Sequence, residues 1–375
     1  MAATLRVVLD QLVAPTEPVL AEASRELARA LVAGAPSGCV VEAVAPAGGD
    51  DAAFAQVPGL AGVRRAALPR RELAAALPLG VATGLGAGMI HSPSLFAPLV
   101  RHDRVHNHDQ TVVTVWDLRP WEAPGELPRA VAAWHKAMLK RAVKHADAVV
   151  VPTHAQAERL LEIAPLGDRI RVIAGASPLD FAVPSDEVGR RRALDLPEGF
   201  LLLAGEPLAS DGLDAGFAAV AASGLDLPVV FMDVDEGDEP AVVELASAAG
   251  VPERRVHVRG PLDAADRAAV FGGAVAFVAP SRRAAFPWRV VDALRLGVPV
   301  VAADSAVHRE VVFDGGVLSE GTDAASLGAA MGEALAAALG STTAAERMAV
   351  LAGDRGRAFS WHEAADKVWT LHAEL

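Results

Sequence analysis

The chain has 375 residues, 52% of them hydrophobic, and a formal charge of −13 at neutral pH. That length exceeds one ordinary domain and predicts two, each with enough apolar material for its own core. The acidic balance argues against gripping nucleic acid, whose phosphates it would repel. The single cysteine, Cys39, rules out an internal disulfide and a cysteine-built zinc site, and a reducing cytoplasm suits such a chain.

The first apolar run, LRVVLD (5–10), already contains Asp10, where an export signal would stay apolar. It reads as a strand, EASRELARAL (22–31) as a helix, and CVVEAVA (39–45) as the next strand. Residues 73–100 carry no charged side chain apart from His91. Pro78, Gly80, Gly84, Gly86, Gly88, Pro93 and Pro98 interrupt them too often for a spanning helix, so a buried loop and strand are expected. The GLGAG inside that stretch (84–88) lacks a clear strand before it and helix after it, so dinucleotide binding is not expected there. RHDRVHNHD (101–109) offers His102, His106 and His108 with Asp103 and Asp109, but a polar connection between strands is the expected reading, not a zinc site.

TVVTVWD (111–117) and ADAVVVPT (146–153) read as buried strands, with the helix PRAVAAWHKAMLKRAVKH (128–145) between them. That helix carries Arg129, Lys136, Lys140, Arg141 and Lys144 beside Trp134, Met138, Leu139 and Val143. It reads either as the solvated face of an ordinary helix or as a basic amphipathic surface resting on anionic lipid. THAQAERLLEI (153–163) opens with Thr153 and Gln156 at capping-box spacing, and Ser360 and Glu363 repeat it near the end of the chain. RIRVIAG (169–175) is a strand, and the polar, Pro-interrupted run after it reads as a linker.

A second alternating half begins at FLLLAGE (200–206) and continues through LPVVFMDV, RVHVRG, AVAFVAP and VPVVAAD. DVDEGDEP (233–240) fits neither the glycine nor the final glutamate of an EF-hand and reads as a solvated loop. In the last segment Trp361, Ala365, Val368, Trp369 and Leu371 share one helical face. Short apolar runs separated by helices predict parallel sheets in both halves. Ligands of such sheets sit beyond the carboxyl ends of the strands. No G-x-S-x-G elbow supports a hydrolase triad.

Taken in order, HSPSLFAPL (91–99), VVTVWDLRPWEAPGELPRAVAAWH (112–135), ADAVVVPTHAQAERL, RIRVIAG, RVHVRGPLDAADRAAVF (255–271), PSRRAAFPWRVVDALRLGVPVVAAD (280–304) and FSWHEAADKVWTLHAEL (359–375) resemble the retaining glycosyltransferases of family 4. The resemblance spans nearly the whole chain and is to the actinobacterial cell-envelope type. It implies an α/β protein of GT-B fold, with two Rossmann-like domains facing an interdomain cleft. The implied parts are an acceptor domain at 1–178, a linker at 179–198, a nucleotide-sugar domain at 199–355 and a C-terminal helix at 356–375 packing back on the first domain. The implied activity moves a mannose- or rhamnose-like sugar from a nucleotide diphosphate donor to an envelope glycan or lipid-linked acceptor, with retention, without metal and without cofactor. The implied setting is cytoplasmic, with peripheral contact at the inner membrane face.

Carried onto this chain, the donor positions are Gly205, Glu206, Ser281, Arg282, Arg283, Phe286 and Asp292. Trp116 and Asp117 stand at the catalytic and acceptor side. Several of these depart from the family pattern. The first of its two glutamates falls on Ala284 and the second on Asp292, and its Gly-Phe-Gly turn is Ala285, Phe286 and Pro287. Proline has no N–H to offer a donor sugar. The Arg and Lys that clasp the diphosphate fall on Ser210 and Asp211 in AGEPLASDGL (204–213). An anion about 5 Å from Asp211 would lose an attraction of roughly 3 kcal/mol and meet a similar repulsion. Arg282, Arg283 and Arg289 are the cations placed to compensate, through two-pronged contacts to phosphate oxygens. Trp116 replaces a histidine and cannot take a proton, though it can stack on a sugar face. Glu17 and Pro18 stand where the family's glycine pair lets backbone N–H groups approach phosphate. The departures at Ala284, Ser210, Asp211, Trp116 and Pro18 also suit a second reading, a non-catalytic relative serving as scaffold or regulator of an active partner glycosyltransferase.

Overall fold

The computed structural model describes residues 3–81 and 87–375. Residues 84–86 of the GLGAG run lie outside them. The chain divides into two compact units, one built from Met1–Leu179, Ala284–Phe286 and Ser360–Leu375, the other from Asp180–Arg283 and Pro287–Phe359.

The first unit holds seven strands: β1 (Ala3–Val8), β2 (Cys39–Ala45), β3 (Gly62–Arg65), β4 (Met89–Ser92), β5 (Gln110–Thr114), β6 (Ala148–Val151) and β7 (Ile170–Val172). They pair in the order β3-β2-β1-β4-β5-β6-β7, all parallel. A parallel sheet is covered on both faces, so its central strands cannot alternate with polar residues. Accordingly β5 and β6 are buried at every position; β6, AVVV, is an unbroken apolar run, whereas β5, QTVVT, buries Gln110, Thr111 and Thr114 along with its valines. By contrast β3, with sequence GVRR, escaped the apolar pattern. It is an edge strand, and edges carry charge that discourages further pairing.

The helix Trp361–Glu374 completes this unit by packing on Pro18–Ala33. Trp361, Ala365, Val368, Trp369 and Leu371 are all buried, and the Trp369 indole donates to the Leu31 carbonyl at 3.2 Å. A buried polar knot ties the same helix to the sheet. The Gln110 carboxamide donates to the His372 carbonyl at 3.2 Å, its oxygen lies 2.8 Å from His372 Nδ1, and His372 Nε2 lies 3.4 Å from His91 Nδ1. Burial pushes the His372 imidazole down from its ordinary 6.5 to about 4. Burial, and then the neighbouring His372, hold His91 well below its usual range.

The second unit holds β8 (Phe200–Ala204), β9 (Val229–Met232), β10 (Val256–Val258), β11 (Ala274–Ala279), β12 (Val300–Ala303) and β13 (Gly316–Ser319). Their order is β10-β9-β8-β11-β12-β13, again all parallel. The edge strand β13, GVLS, is too short and too polar to announce itself.

The stretch at 179–198 contains the helix Glu187–Ala193, whose buried Arg191 donates to Glu187 at 2.6 Å and to the Ala269 carbonyl at 3.2 Å, while Arg190 reaches Asp266 at 2.8 Å. Two local expectations, both capping boxes, are corrected. At the N-terminus of His154–Ile163, Thr153 Oγ1 accepts from the Gln156 N–H at 3.1 Å, but the Gln156 carboxamide oxygen accepts from the Thr153 hydroxyl at 3.2 Å instead of the Thr153 N–H, and its amide nitrogen donates elsewhere. Likewise Ser360 accepts from the Glu363 N–H, whereas the Glu363 carboxylate pairs with Lys367 at 2.8 Å. Among the described residues no helix is long and apolar enough to cross a membrane.

Candidate functional site

In each sheet the strand order reverses once, between β1 and β4 and between β8 and β11. Connections leave such a switch point in opposite directions, opening a crevice beyond the carboxyl ends of the strands. The residues singled out from the sequence fall around these two places.

In the first unit β5 leads into Trp116 and Asp117. The Trp116 indole N–H donates to the Pro93 carbonyl just past β4 at 2.8 Å, which draws the ring toward the switch point. Its ring lies 6.0 Å from Phe286 and 6.5 Å, edge-on, from Trp361. The segment Ala284–Phe286 is stitched to this strand end. Ala285 bridges Asp117 in antiparallel sense, Leu118 N–H donates to the Ala284 carbonyl at 3.1 Å, and Phe286 N–H donates to the Trp116 carbonyl at 3.0 Å. Fully buried Gln156 locks the arrangement, its amide donating to the Trp116 carbonyl at 2.8 Å and the Ala284 carbonyl at 3.1 Å. Asp117 accepts from the Arg119 N–H at 2.7 Å, and the Arg119 guanidinium lies 3.7 Å from its other oxygen. Nearby, burial holds His135 below its usual range, with Asp117 pulling the other way.

Beyond β1, the buried Asp10 carboxylate accepts from Gln11 and from Arg70, each at 2.9 Å. Burial raises its pKa against the pull of Arg70. The Gln11 carbonyl oxygen takes the Thr16 N–H at 2.9 Å, so the turn before Pro18–Ala33 is organised by its own side chains.

In the second unit Gly205 follows β8 with φ 140°, a conformation that favours glycine, and a Cβ there would meet Asp211 Oδ2 at 3.0 Å. Asp211, 7% exposed, accepts from the Glu206 N–H at 2.8 Å and from Arg283 at 2.7 Å. Across the switch point, Ser281 past β11 donates to the Ser210 carbonyl at 3.2 Å and accepts from the Arg283 N–H at 3.3 Å. A backbone N–H and a guanidinium converging on one point make an anion cradle. Here both converge on the carboxylate of Asp211.

Asp292 lies on the helix Trp288–Arg295 and is 2% exposed. It is held by Arg267 at 3.0 Å and Arg289 at 2.9 Å, and Arg289 also grips Asp233 at 2.5 Å. Arg267, itself 2% exposed, lies over the Phe181 ring at 5.1 Å. The exposed Arg282 donates to the Gly321 carbonyl and contributes to holding Asp304 below its usual range, after the larger effect of Arg309.

The structure therefore brings Gly205, Glu206, Ser281 and Arg283 together around Asp211, and Trp116, Asp117 and Phe286 together around Gln156. Asp292 sits in its own arginine network. Gln156 was legible only as a capping partner and Asp10 only as a charge in the first apolar run, while Arg70 and Arg267 were not singled out. An arginine inside the Ala/Val-rich run AADRAAVF was the legible signal for Arg267, since a buried cation requires a buried carboxylate. The histidines of RHDRVHNHD diverge: His102 pairs with Asp147 at 2.8 Å and His106 with Asp103 at 2.9 Å, while His108 ends a helical turn with φ 54°. Among the described residues no group of three or more His, Cys, Asp or Glu is placed to hold a metal ion.

Two parallel, Rossmann-like α/β sheets with sites at their switch points define the GT-B fold. The profile described as Glycosyltransferase Family 4 matches residues 22–179, and that described as Glycosyl transferases group 1 matches 210–337. The chain thus matches the two glycosyltransferase profiles one after the other. It is 31% identical over 271 residues to D-inositol 3-phosphate glycosyltransferase from Xylanimonas cellulosilytica, covering 67% of this chain. It is 29% identical over 266 residues to D-inositol 3-phosphate glycosyltransferase 1 from Catenulispora acidiphila, covering 66% of this chain. The matched stretch spans only 62% and 61% of those two relatives' own lengths. Among solved structures, sucrose-phosphate synthase from Thermosynechococcus elongatus aligns with a TM-score of 0.72 at 18% identity, covering 99% of this chain and 98% of that one. The Anabaena protein HepE, in complex with UDP and glucose, aligns at 0.68 and 16% identity, covering 100% of both.

Proposed function

We propose that this chain is a glycosyltransferase that moves a sugar from a nucleotide diphosphate donor to a cell-envelope glycan, a lipid-linked acceptor or a phosphorylated polyol. The succession of the two family regions on this fold carries the reading. The name of the curated relatives adds a phosphorylated polyol to the acceptor classes. In this reading the reaction proceeds with retention and without metal, at the cytoplasmic face of the membrane. The diphosphate enters at Gly205, Glu206, Ser281 and Arg283, with Arg282 alongside. Its oxygens take over the Glu206 N–H and the Arg283 guanidinium from Asp211, and Asp211 must swing aside. Backbone N–H and guanidinium groups then stabilise charge on the departing diphosphate. Asp292 pairs with Arg289 on their shared helix, Phe286 flanks the donor, and Trp116 and Asp117 border the acceptor. Because an internal carboxylate competes for the clasp, donor affinity is weak.

The same observation favours a second reading, in which Asp211 holds the clasp permanently and the chain serves as scaffold or regulator of an active partner transferase. Calorimetry of the folded chain with UDP-, GDP- and dTDP-sugars separates the two. Saturable binding followed by turnover supports transfer, and absence of binding to every donor removes it.

A further inference from the structure

A second site lies at the opposite edge of the first unit's sheet. A pocket of about 460 Å³ is lined there by Arg101, Arg104, Lys144, Arg169 and Arg171, with two carboxylate side chains, Asp147 and Asp168, among them. Arg101 and Arg104 precede β5, Lys144 and Asp147 precede β6, and Asp168 to Arg171 open β7. These three strands are neighbours and parallel, so their amino ends meet on one edge. Trp116 and Asp117 lie beyond the carboxyl end of β5. One strand of this length separates the two places by roughly 15 Å.

The cations here outnumber the carboxylates beside them: Arg101, Arg104, Lys144, Arg169 and Arg171 face Asp147, Asp168 and the terminal carboxylate of Leu375. Asp147 is already bonded to the His102 imidazole at 2.8 Å and to the Thr111 N–H, also at 2.8 Å, and Arg104 stands 4.0 Å from it. Arg169 donates to the carbonyls of Leu166, Ala146 and Val143, which fixes its plane without cancelling its charge. Arg171 likewise donates to the carbonyls of Asp168 and Ile170. Arg101 and Lys144 form no ion pair with any described residue. His145, which also lines the pocket, is held below its usual range by burial first and then by Arg141, Lys144 and His102, so it experiences a positive surrounding. Lys144 and His145 close the helix Arg129–His145, where cations are favoured by the helix dipole whatever else is present. That does not account for Arg101, Arg104 and Arg171, which come from other elements. Nor does composition, since the chain as a whole is strongly acidic.

Fixed guanidinium planes match pairs of phosphate oxygens, and the volume is that of a small-ligand site. We propose that this amino-edge pocket binds a phosphate-bearing group, presented either by a small soluble phosphate or by the headgroup of an anionic lipid. It is independent of the donor clasp in the other unit and of the transfer reaction proposed for it.

The test uses the full chain and a double variant, Arg101→Ser with Lys144→Ser, whose side chains hold no ion pair that folding would lose. Inorganic phosphate is titrated calorimetrically. In parallel, flotation is measured with phosphatidylcholine vesicles and with vesicles containing about one third phosphatidylglycerol. Saturable phosphate binding near about 1 mM, weakened at least about tenfold in the double variant, supports a soluble ligand. Flotation with anionic but not neutral vesicles, lost in the double variant and suppressed by salt, supports a lipid headgroup. Arg104→Gln and Arg171→Gln provide separate single-site checks and are each expected to weaken binding by about threefold or more. No phosphate binding up to about 10 mM together with no preference for anionic vesicles overturns the proposal. So does binding that all these variants leave unchanged.

Discussion

The carboxyl end of β5 in the first sheet and those of β8 and β9 in the second are held by different forces. At the end of β5 the holding contacts are neutral hydrogen bonds to main-chain carbonyls, from the Trp116 indole and the Gln156 amide. In the second, arginines are paired with the chain's own carboxylates, Arg283 with Asp211 and Arg289 with Asp233 and Asp292. Neutral bonds to main chain preorganise a surface that salt and pH leave alone. Carboxylate–guanidinium pairs instead fill the places where an anionic ligand would find its partners. Under the proposed function, the contrast means that the acceptor side is set in advance, while the donor side must exchange one anion for another.

The largest expected effect lies in the buried network. Asp292→Ala leaves Arg267 and Arg289 facing each other without their shared carboxylate and should destabilise the chain by about 3–5 kcal/mol. Chemical denaturation checks this. A loss below about 1 kcal/mol would show that Asp292 is not the structural counterion described, and would free it for a ribose.

The knot of His372 and His91 gives the first unit a pH dependence of its own. A histidine with a depressed folded pKa takes up its proton more readily when unfolded, so its contribution is intact above the ordinary value and declines as pH falls. For His372 the decline runs from 6.5 down to about 4. At up to about 1.4 kcal/mol per pH unit, it totals roughly 3 kcal/mol over that window. Unfolding free energies measured across it should fall toward acid, and His372→Gln should flatten the slope. An unchanged slope in that variant would place the titration elsewhere.

A smaller effect is expected at Gln156. Gln156→Leu leaves the Trp116 and Ala284 carbonyls without the amide and should destabilise by about 2 kcal/mol, with little dependence on salt. Steep salt dependence in the difference would mean that charge, not neutral hydrogen bonding, holds this edge.

Much of the fold could be read in advance because buried parallel strands advertise themselves. FLLLA, VVFM and AVVV have no polar residue to mislead. The edge strands GVRR and GVLS and the helix EVGRRRA were invisible because partners distant in sequence stabilise them. At the candidate site, residue types were legible but pairings were not. Asp211 was recognisable as an anion in a phosphate-binding position, yet nothing local announced that its own oxygens would accept from Glu206 N–H and Arg283. Arg289 looked like a spare cation, and only the register of its helix against Asp233 shows it engaged. Gln156 read as a capping partner because spacing cannot reveal which way a long amide turns.

The most direct check of this account is donor binding by Asp211→Asn, measured calorimetrically against the unaltered chain with the same UDP-sugar. Removing the competing charge while keeping a similar shape should tighten binding by about tenfold, equivalent to about 1.4 kcal/mol, with a stronger dependence on salt. Equal or weaker binding by the variant, beside tight binding by the unaltered chain, would contradict the claim that this carboxylate occupies the donor's place.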